Sequence, residues 1–432
     1  MTIHQSNGKL TPSLILRLFI PFASAYLLSV LFRTVNAVLA PHFIEEFDLK
    51  ASDLGLMTST YALAFAITQI PLGIALDRFG SRRTLSTLLL SAGIGAFLFA
   101  NAQSLEHLMI GRFLIGVGVS GCLMAAFKAY NDWIPAERLP LINSFQTFAG
   151  GLGGLIATQP VHFSLNFMDW RAVFMILLGL TVANAIFIFM AVPKKQKEGH
   201  NDEPVKNQLV GTFQVAKSVN FWRIIPIATC VQASYIGLDG LWLGPWLKDV
   251  AGYEASAVPT LLLTCTAFLC VGYLTNGVIA DWLRKFGIKP AMVSVIGMVG
   301  FTLSIGVIAL LGGKVGVTGW IILNIFGPFC LLTYPILSSM FDGKYAGRVI
   351  TLYNLAVFLL TFVIQWLMGV IIDLWPATSS GAYNPTGYSV ALGILFALHA
   401  VSLVWLFLFK KGKLEFFESK TSPAEIPSKH AN

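Results

Sequence analysis

The sequence predicts an all-α membrane protein in which 12 transmembrane helices form two pseudo-symmetric six-helix bundles, with both termini in the cytoplasm. The 432 residues are 56% hydrophobic and only 12% charged, about half the charged fraction of a soluble domain. Twelve apolar stretches are each long enough to cross a bilayer, which takes about 20 helical residues. The basic residues concentrate on one side of these stretches, which sets the orientation.

One long polar segment divides the stretches into two groups of six. This division predicts an N-terminal bundle over residues 1–192, a cytoplasmic linker over 193–220, a C-terminal bundle over 221–409 and a cytoplasmic tail over 410–432. The predicted spans are 15–40, 54–76, 84–102, 108–130, 141–164, 172–192, 222–247, 257–280, 290–312, 318–340, 349–373 and 387–409.

The distribution of lysine and arginine predicts which side is inside. With both termini inside, only four of the 29 basic residues fall in outer loops, namely Lys50, Arg171, Lys248 and Lys314. Three more lie within spans, and the remainder are cytoplasmic. So strong a bias follows the positive-inside rule.

Two short charged turns repeat along the chain. Residues 73–83 read GIALDRFGSRR between spans two and three, and residues 277–287 read GVIADWLRKFG between spans eight and nine. Their aspartates are about 204 residues apart. Two related six-helix halves are typical of transporters rather than of receptors or membrane enzymes.

The first of these turns resembles the signature loop of the major facilitator superfamily. The residues that carry this resemblance are Gly73, Asp77, Arg78, Gly80, Arg82 and Arg83. The second turn is similar to the weaker copy of that loop, through Gly277, Asp281 and Arg284. In span four, Arg112 followed by Gly116 and Gly118 resembles the superfamily's second motif.

The resemblance implies a monomeric secondary transporter of bacterial type in the inner membrane, surrounded by lipid and acting on a small molecule. It also implies that Asp77 and Arg78 belong to a charge relay that closes the cytoplasmic side, while Arg112 is structural. The alternative is that the loop charges only set the orientation. Span five is glycine-rich but has its proline late, at Pro160, which weakens the resemblance to drug/proton antiporters.

Arg33 lies in span one, past the middle towards the outside. A charge at membrane depth costs about 2.5–3.5 kcal/mol on insertion scales and therefore needs a partner. Asn36 lies three residues on and shares its helical face, so it is a second candidate for substrate binding. Because a guanidinium matches carboxylates and phosphates, we predict that Arg33 binds an anionic group of the substrate. A structural ion pair is the alternative.

Asp239 is the carboxylate clearly inside a span. Gln232, Tyr235 and Asp239 form one stripe of span seven, and all three are candidates for substrate binding. In the resembled fold, spans one and seven face each other across the two halves. We therefore expect Arg33 and Asp239 to approach when the outer gate closes. Asp239 is also the candidate for proton coupling.

Other polar residues within spans are candidates for the cavity wall. These are Tyr61, Gln146 and Asn324, together with Lys128 near the inner end of span four. Lys128 has an equally good alternative, because a lysine stem can extend to the cytoplasmic headgroups.

The motifs that are missing narrow the class of protein. The sequence has no Walker loop, no HExxH or GxSxG signature, no CxxC pair and no basic face with interleaved aromatics. It therefore predicts no enzyme activity, no cofactor or metal site, no nucleic-acid partner and no direct use of ATP. By analogy with carriers of organic anions, a proton gradient is the expected energy source. A sensor would need a larger cytoplasmic domain, and a lipid-handling enzyme or flippase would need reactive residues at headgroup level.

The prediction from these residues is a carrier that moves a small organic anion by alternating access with proton-coupled import. The anion would be a carboxylate-type metabolite or a carboxylate metal chelate. A carrier for a zwitterionic amino acid or peptide, and a proton-driven exporter of drugs or metabolites, remain the alternatives.

Overall fold

The computed structural model describes residues 12–135, 138–193, 205–341, 345–379 and 381–408, and within these ranges it contains helices and no strand. The helices of the first half are α1 (Pro12–Thr34), α2 (Asn36–Phe47), α3 (Ala51–Ala100), α4 (Leu105–Val119), α5 (Cys122–Trp133), α6 (Leu139–Ile156), α7 (Gln159–Ser164) and α8 (Trp170–Ala191).

After the first half, α9 (Val205–Ala216) lies within the segment predicted as a linker. The helices of the second half are α10 (Val219–Gly237), α11 (Leu243–Asp249), α12 (Val258–Arg284), α13 (Pro290–Leu311), α14 (Gly316–Phe326), α15 (Thr333–Ser339), α16 (Ala346–Ile372) and α17 (Pro385–Leu408). A π-helical turn, Leu238–Trp242, joins α10 to α11, and 3₁₀ turns cover Gly312–Val315 and Gly327–Leu332. The predicted tail, 410–432, lies outside the described residues.

Nine helical stretches of the described chain are long and apolar enough to cross a membrane, whereas the sequence predicts twelve. Two of the nine, Ala51–Ala100 and Pro290–Ser339, contain 50 residues each. Straight helices of that length would measure about 75 Å, more than twice the hydrocarbon core. Each of them covers two predicted spans, and predicted span five is divided between α6 and α7.

The 50-residue stretch α3 reverses direction at Gly80. This glycine has φ 77°, a conformation that costs glycine little and other residues more. The hydroxyl of Thr84 donates to the carbonyl of Ala75 at 3.0 Å, although nine residues of straight helix would separate them by about 13 Å. The signature loop is therefore a tight helix-to-helix turn.

The second long stretch also folds back on itself. Gly312 and Gly316 both have positive φ, at 55° and 52°. The hydroxyl of Ser294, near the start of α13, donates to the carbonyl of Phe329 at 3.1 Å. The segments before and after the turn thus run side by side, as spans nine and ten should.

The two halves are packed together at the ends that the basic-residue distribution assigns to the outside. The backbone N–H groups of Ala51 and Ser52, at the start of α3, donate to the Asp373 carboxylate at 3.1 and 2.8 Å. A Cβ added at Gly369 of α16 would overlap the carbonyl of Ala51, and one added at Gly55 would lie 2.6 Å from the carbonyl of Gln365. We call this α3–α16 contact the outer seam. Because α3 and α16 are in contact along this seam, the structure represents a state that is closed on the outside.

Candidate substrate-binding site

A cavity of about 640 Å³, including its mouth, lies between the two halves. Helices α1 and α6 line it from the first half, and α10, α12 and the π turn line it from the second. Its polar wall includes Tyr26, Arg33, Thr147, Tyr235, Asp239 and Tyr273. A position between pseudo-symmetric halves is where carriers bind their substrates.

Arg33 lines this cavity at a break in span one. Helix α1 ends at Thr34 and α2 begins at Asn36, so the predicted span 15–40 is two helices that together extend to Phe47. The side chain of Arg33 is half-buried. In the described part of the chain, no carboxylate forms an ion pair with it. The guanidinium therefore has hydrogen-bonding capacity directed at the cavity.

Asp239 lies at the corresponding break in span seven, within the π turn Leu238–Trp242. Single π turns inside α-helices are frequent at functional sites. With its amide nitrogen facing the carboxylate, Asn324 donates to both oxygens of Asp239, at 2.9 and 3.3 Å. Asn324 thus contacts Asp239 and is not itself part of the cavity wall. Arg33 and Asp239 line one cavity with the outside closed, but they form no direct ion pair.

Sequence reasoning missed Tyr26 as a member of the cavity wall. Tyr26, Val30 and Arg33 line the cavity together, and their spacing of four and then three residues places them on one helical face. That periodicity, extended back from Arg33, would have identified Tyr26. Tyr273 of α12 also lines the cavity, where its hydroxyl contacts the hydroxyl of Tyr235.

Three predicted binding residues connect helices instead of lining this cavity. Asn36 donates to Thr58 at 3.2 Å and is fully buried. Both polar groups of the Gln146 amide are satisfied, by Tyr130 and by the carbonyl of Phe22. Gln232 donates to Tyr334 at 3.0 Å. Interhelical hydrogen bonds of this kind are the usual role of polar residues in membrane helices.

A smaller side pocket lies behind Arg33. We define it by Arg33, Thr58, Tyr61, Arg112 and Gln365, which lie in its wall. Arg112 is fully buried, donates to the carbonyl of Phe32 at 2.6 Å and lies over the Tyr61 ring at 5.2 Å. The Arg112 motif in span four therefore contacts span one next to Arg33.

Lys128 lies outside the cavity and pairs with Asp77 of the signature loop, with 2.6 Å between Nζ and Oδ1. This contact joins the inner ends of spans two and four within the first half. A Cβ added at Gly73 or Gly277 would meet no atom within 4 Å. In this conformation, packing does not require a glycine at either position.

The arginines of the two loops lie at the surface of their own halves. Arg82 lies over the Phe189 ring at 4.6 Å, and Arg78 lies beside the adjacent Phe79 ring at 5.6 Å. Asp281 and Arg284 form an exposed pair at 3.6 Å, and exposed pairs of this kind contribute little to stability. The gating role of these residues and of Arg83 remains a prediction from the resemblance.

Two interrupted helices that line one cavity between two helical halves are typical of helical membrane carriers. The chain belongs to the Major Facilitator Superfamily, whose sequence profile matches residues 22–364. It is therefore an integral multi-pass membrane protein of a transporter family, and the predicted family and fold class are confirmed.

Similar proteins are transporters by name. The chain is 27% identical to a "probable sulfoacetate transporter" of Cupriavidus necator over 74% of this chain and 79% of that protein. It is 25% identical to a "probable L-galactonate transporter" of Escherichia coli over 57% of each. Its fold matches an inward-facing, occupied bacterial homologue of the human lysosomal transporter Spinster, with a TM-score of 0.72, 16% identity and coverage of 95% and 100%.

Proposed function

We propose that this protein is a secondary carrier that moves a small organic anion by alternating access, with Arg33 binding the anionic group. The observation that carries this proposal is the half-buried guanidinium of Arg33, which faces the cavity between the halves without a carboxylate partner in the described chain. An unneutralised cation at membrane depth is costly. A carboxylate or sulfonate that enters the cavity would neutralise it and form two parallel hydrogen bonds.

The charge balance of the cavity favours a substrate with one negative charge. Lys128 pairs with Asp77, so it adds no cation to the cavity wall. Asp239 lies in the same wall as Arg33 and repels a second anionic group. Hydroxyl groups from Tyr26, Tyr235 and Tyr273 surround the remaining space and suit a hydroxylated or otherwise polar body. Galactonate, which the name of one relative gives, is such a monoanion, whereas sulfoacetate, which the name of another gives, carries both a sulfonate and a carboxylate.

Asp239 is proposed to take up the coupling proton during import. It lies in the cavity wall without an ion-pair partner in the described chain, so its protonation would change the charge balance at the site. The bundles over 1–192 and 221–409 would move as two bodies, and the contacts of the outer seam would break when the outside opens.

A zwitterionic amino acid or peptide is the second candidate substrate. The supporting observation is that Arg33 and Asp239 line one cavity but are not paired with each other. The two ends of a zwitterion would bind to them separately.

Uptake into proteoliposomes tests both candidates. Labelled sulfoacetate, galactonate, a neutral sugar and an amino acid are compared with and without an inward proton gradient. We expect one of the two anions to accumulate, Arg33→Gln to abolish its uptake, and Arg33→Lys to retain part of it. Arg17→Gln is the matched control, because Arg17 is an exposed arginine of the same helix. Normal anion uptake by Arg33→Gln would refute the assignment, and uptake of the amino acid alone would favour the second candidate.

A further inference from the structure

The breaks in spans one and seven have a matching feature. Beside each break, a side chain from another helix donates to a backbone carbonyl. Arg112 donates to Phe32 at 2.6 Å, and the Gln365 amide donates to Gly237 at 3.2 Å. The two carbonyls are about 205 residues apart, which is nearly the offset between the two signature loops. Equivalent positions of the two halves therefore receive the same kind of support.

A break needs such support because it interrupts the regular ladder of backbone hydrogen bonds. In the membrane, backbone groups at an interruption cannot turn to water, and a donor from a neighbouring helix adds a hydrogen bond to a carbonyl beside it. Gln365 is 4% exposed, and its amide also lies in the wall of the side pocket. The donation to Gly237 is thus a buried contact between α16 and the π turn.

Gln365 contacts the π turn on both sides of Asp239. A Cβ added at Gly237 would lie 3.3 Å from Cγ of Gln365, and one added at Gly240 would lie 3.3 Å from its Nε2. The same position at Gly240 is 3.6 Å from the carbonyl oxygen of Arg33. The turn that carries Asp239 is therefore held between the Gln365 amide and the backbone of Arg33.

The backbone of Gln365 belongs to the outer seam. Its carbonyl accepts a hydrogen bond from the indole of Trp242 at 3.1 Å. A Cβ added at Gly55 of α3 would lie 2.6 Å from the same oxygen. When α3 and α16 separate at the outside, Gln365 loses its contact with Gly55.

We propose that Gln365 is a positioning residue that links the outer seam to Asp239. While the seam is closed, its amide holds Gly237–Gly240 in the π-helical form and directs the Asp239 carboxylate into the cavity. When the seam opens, this support weakens and the turn is free to rearrange. The link itself is independent of the substrate, and its effect on proton coupling rests on the role proposed for Asp239.

Hydrogen–deuterium exchange of the full-length protein in lipid nanodiscs tests the link directly. Gln365→Leu and Gln365→Met both remove the donor, and Met keeps the side-chain length. We expect amide exchange in peptides covering 237–242 to become roughly threefold faster or more. Gly55→Ala should have the same effect from the other side of the seam, because it displaces α3 from the Gln365 carbonyl.

Tyr353→Phe is the matched control. Tyr353 lies on the same helix, and its hydroxyl donates to the carbonyl of Ala228 on α10 at 3.2 Å. Its removal should speed exchange near residue 228 and leave 237–242 as in the wild type. Unchanged exchange at 237–242 in both Gln365 variants would overturn the positioning role, and unchanged exchange in Gly55→Ala would overturn the link to the seam.

Uptake measured against pH separates this inference from the proposed function. We expect the pH profile of Gln365→Leu to shift by about half a unit or more, because the environment of Asp239 changes, while Tyr353→Phe keeps the wild-type profile. Faster exchange together with a shifted profile supports both statements. If exchange rises but Asp239→Asn has the wild-type profile, the positioning role stands and the proton-coupling role of Asp239 fails.

Discussion

Asp373, at the outer end of α16, accepts the backbone N–H of Ser52 at 2.8 Å and so joins the second half of the protein to the first. The same carboxylate accepts the N–H of Ala51 at 3.1 Å. These N–H groups are at the start of α3, where a helix favours negative charge. The contact exists only when the outer seam is closed, so it stabilises that state specifically.

Asp373→Ala should therefore shift the conformational equilibrium towards the state that is open to the outside. Loss of a capping carboxylate costs about 1 kcal/mol, which is roughly a fivefold change in the ratio of the two states. Distance measurements between spin labels on the outer ends of α3 and α16 would detect the shift. An unchanged distance distribution would mean that the seam closes without this carboxylate.

Gly369→Ala should prevent complete closure of the outer seam. The added Cβ would overlap the carbonyl of Ala51, and a backbone atom cannot move aside as a flexible side chain does. We expect substrate binding from the outside to persist while the transport rate falls at least tenfold. Gly393→Ala is the matched control, because a Cβ at that helical position meets nothing within 4 Å. Equal transport by the two variants would exclude this glycine from the gate.

Lys128→Gln tests whether Lys128 contributes to substrate binding, as predicted, or only pairs with Asp77, as the structure shows. The lysine pairs with Asp77 at the inner end, where both side chains are partly exposed. Such a pair contributes up to about 1 kcal/mol. We expect an unchanged KM for the anion and a modest change in transport rate. A tenfold or larger rise in KM would mean that Lys128 does contribute to substrate binding.

Asp239→Asn should leave anion binding intact and remove proton-driven accumulation. The change deletes a negative charge from the wall that also holds Arg33, so the anion should bind at least as tightly as in the wild type. Exchange of labelled for unlabelled substrate should continue, while an inward proton gradient should no longer drive concentration. Undiminished accumulation would assign the proton to another residue.

The helical spans could be predicted because their signals are local. An apolar stretch of sufficient length must cross the membrane as a helix, since lipid offers its backbone no hydrogen bonds. The breaks at Val35 and at Leu238–Trp242 could not be predicted in the same way. Donors from distant helices, Arg112 and Gln365, bond to carbonyls beside these breaks, and no local pattern in the sequence identifies such partners.

Of the residues predicted for the candidate site, Arg33, Tyr235 and Asp239 line the cavity, whereas Lys128 pairs with Asp77 instead. Arg33 and Asp239 were expected in the cavity because a charge in lipid is so costly that few other positions can hold it. An uncharged polar residue can find hydrogen-bond partners either in a cavity or on another helix, and the two arrangements have similar energies. Gln146 proved to be bonded to Tyr130 and Phe22, while Tyr26 lines the cavity.

By itself, the sequence determined the membrane class, the orientation, the family and the two charges that need an explanation at membrane depth. The tertiary structure alone decided which polar side chains meet the cavity, that Lys128 pairs with Asp77, and that the outside is closed. The physical reason is that length, hydropathy and charge act along one segment. The partner of a buried polar group is instead chosen by whichever helix packs against it.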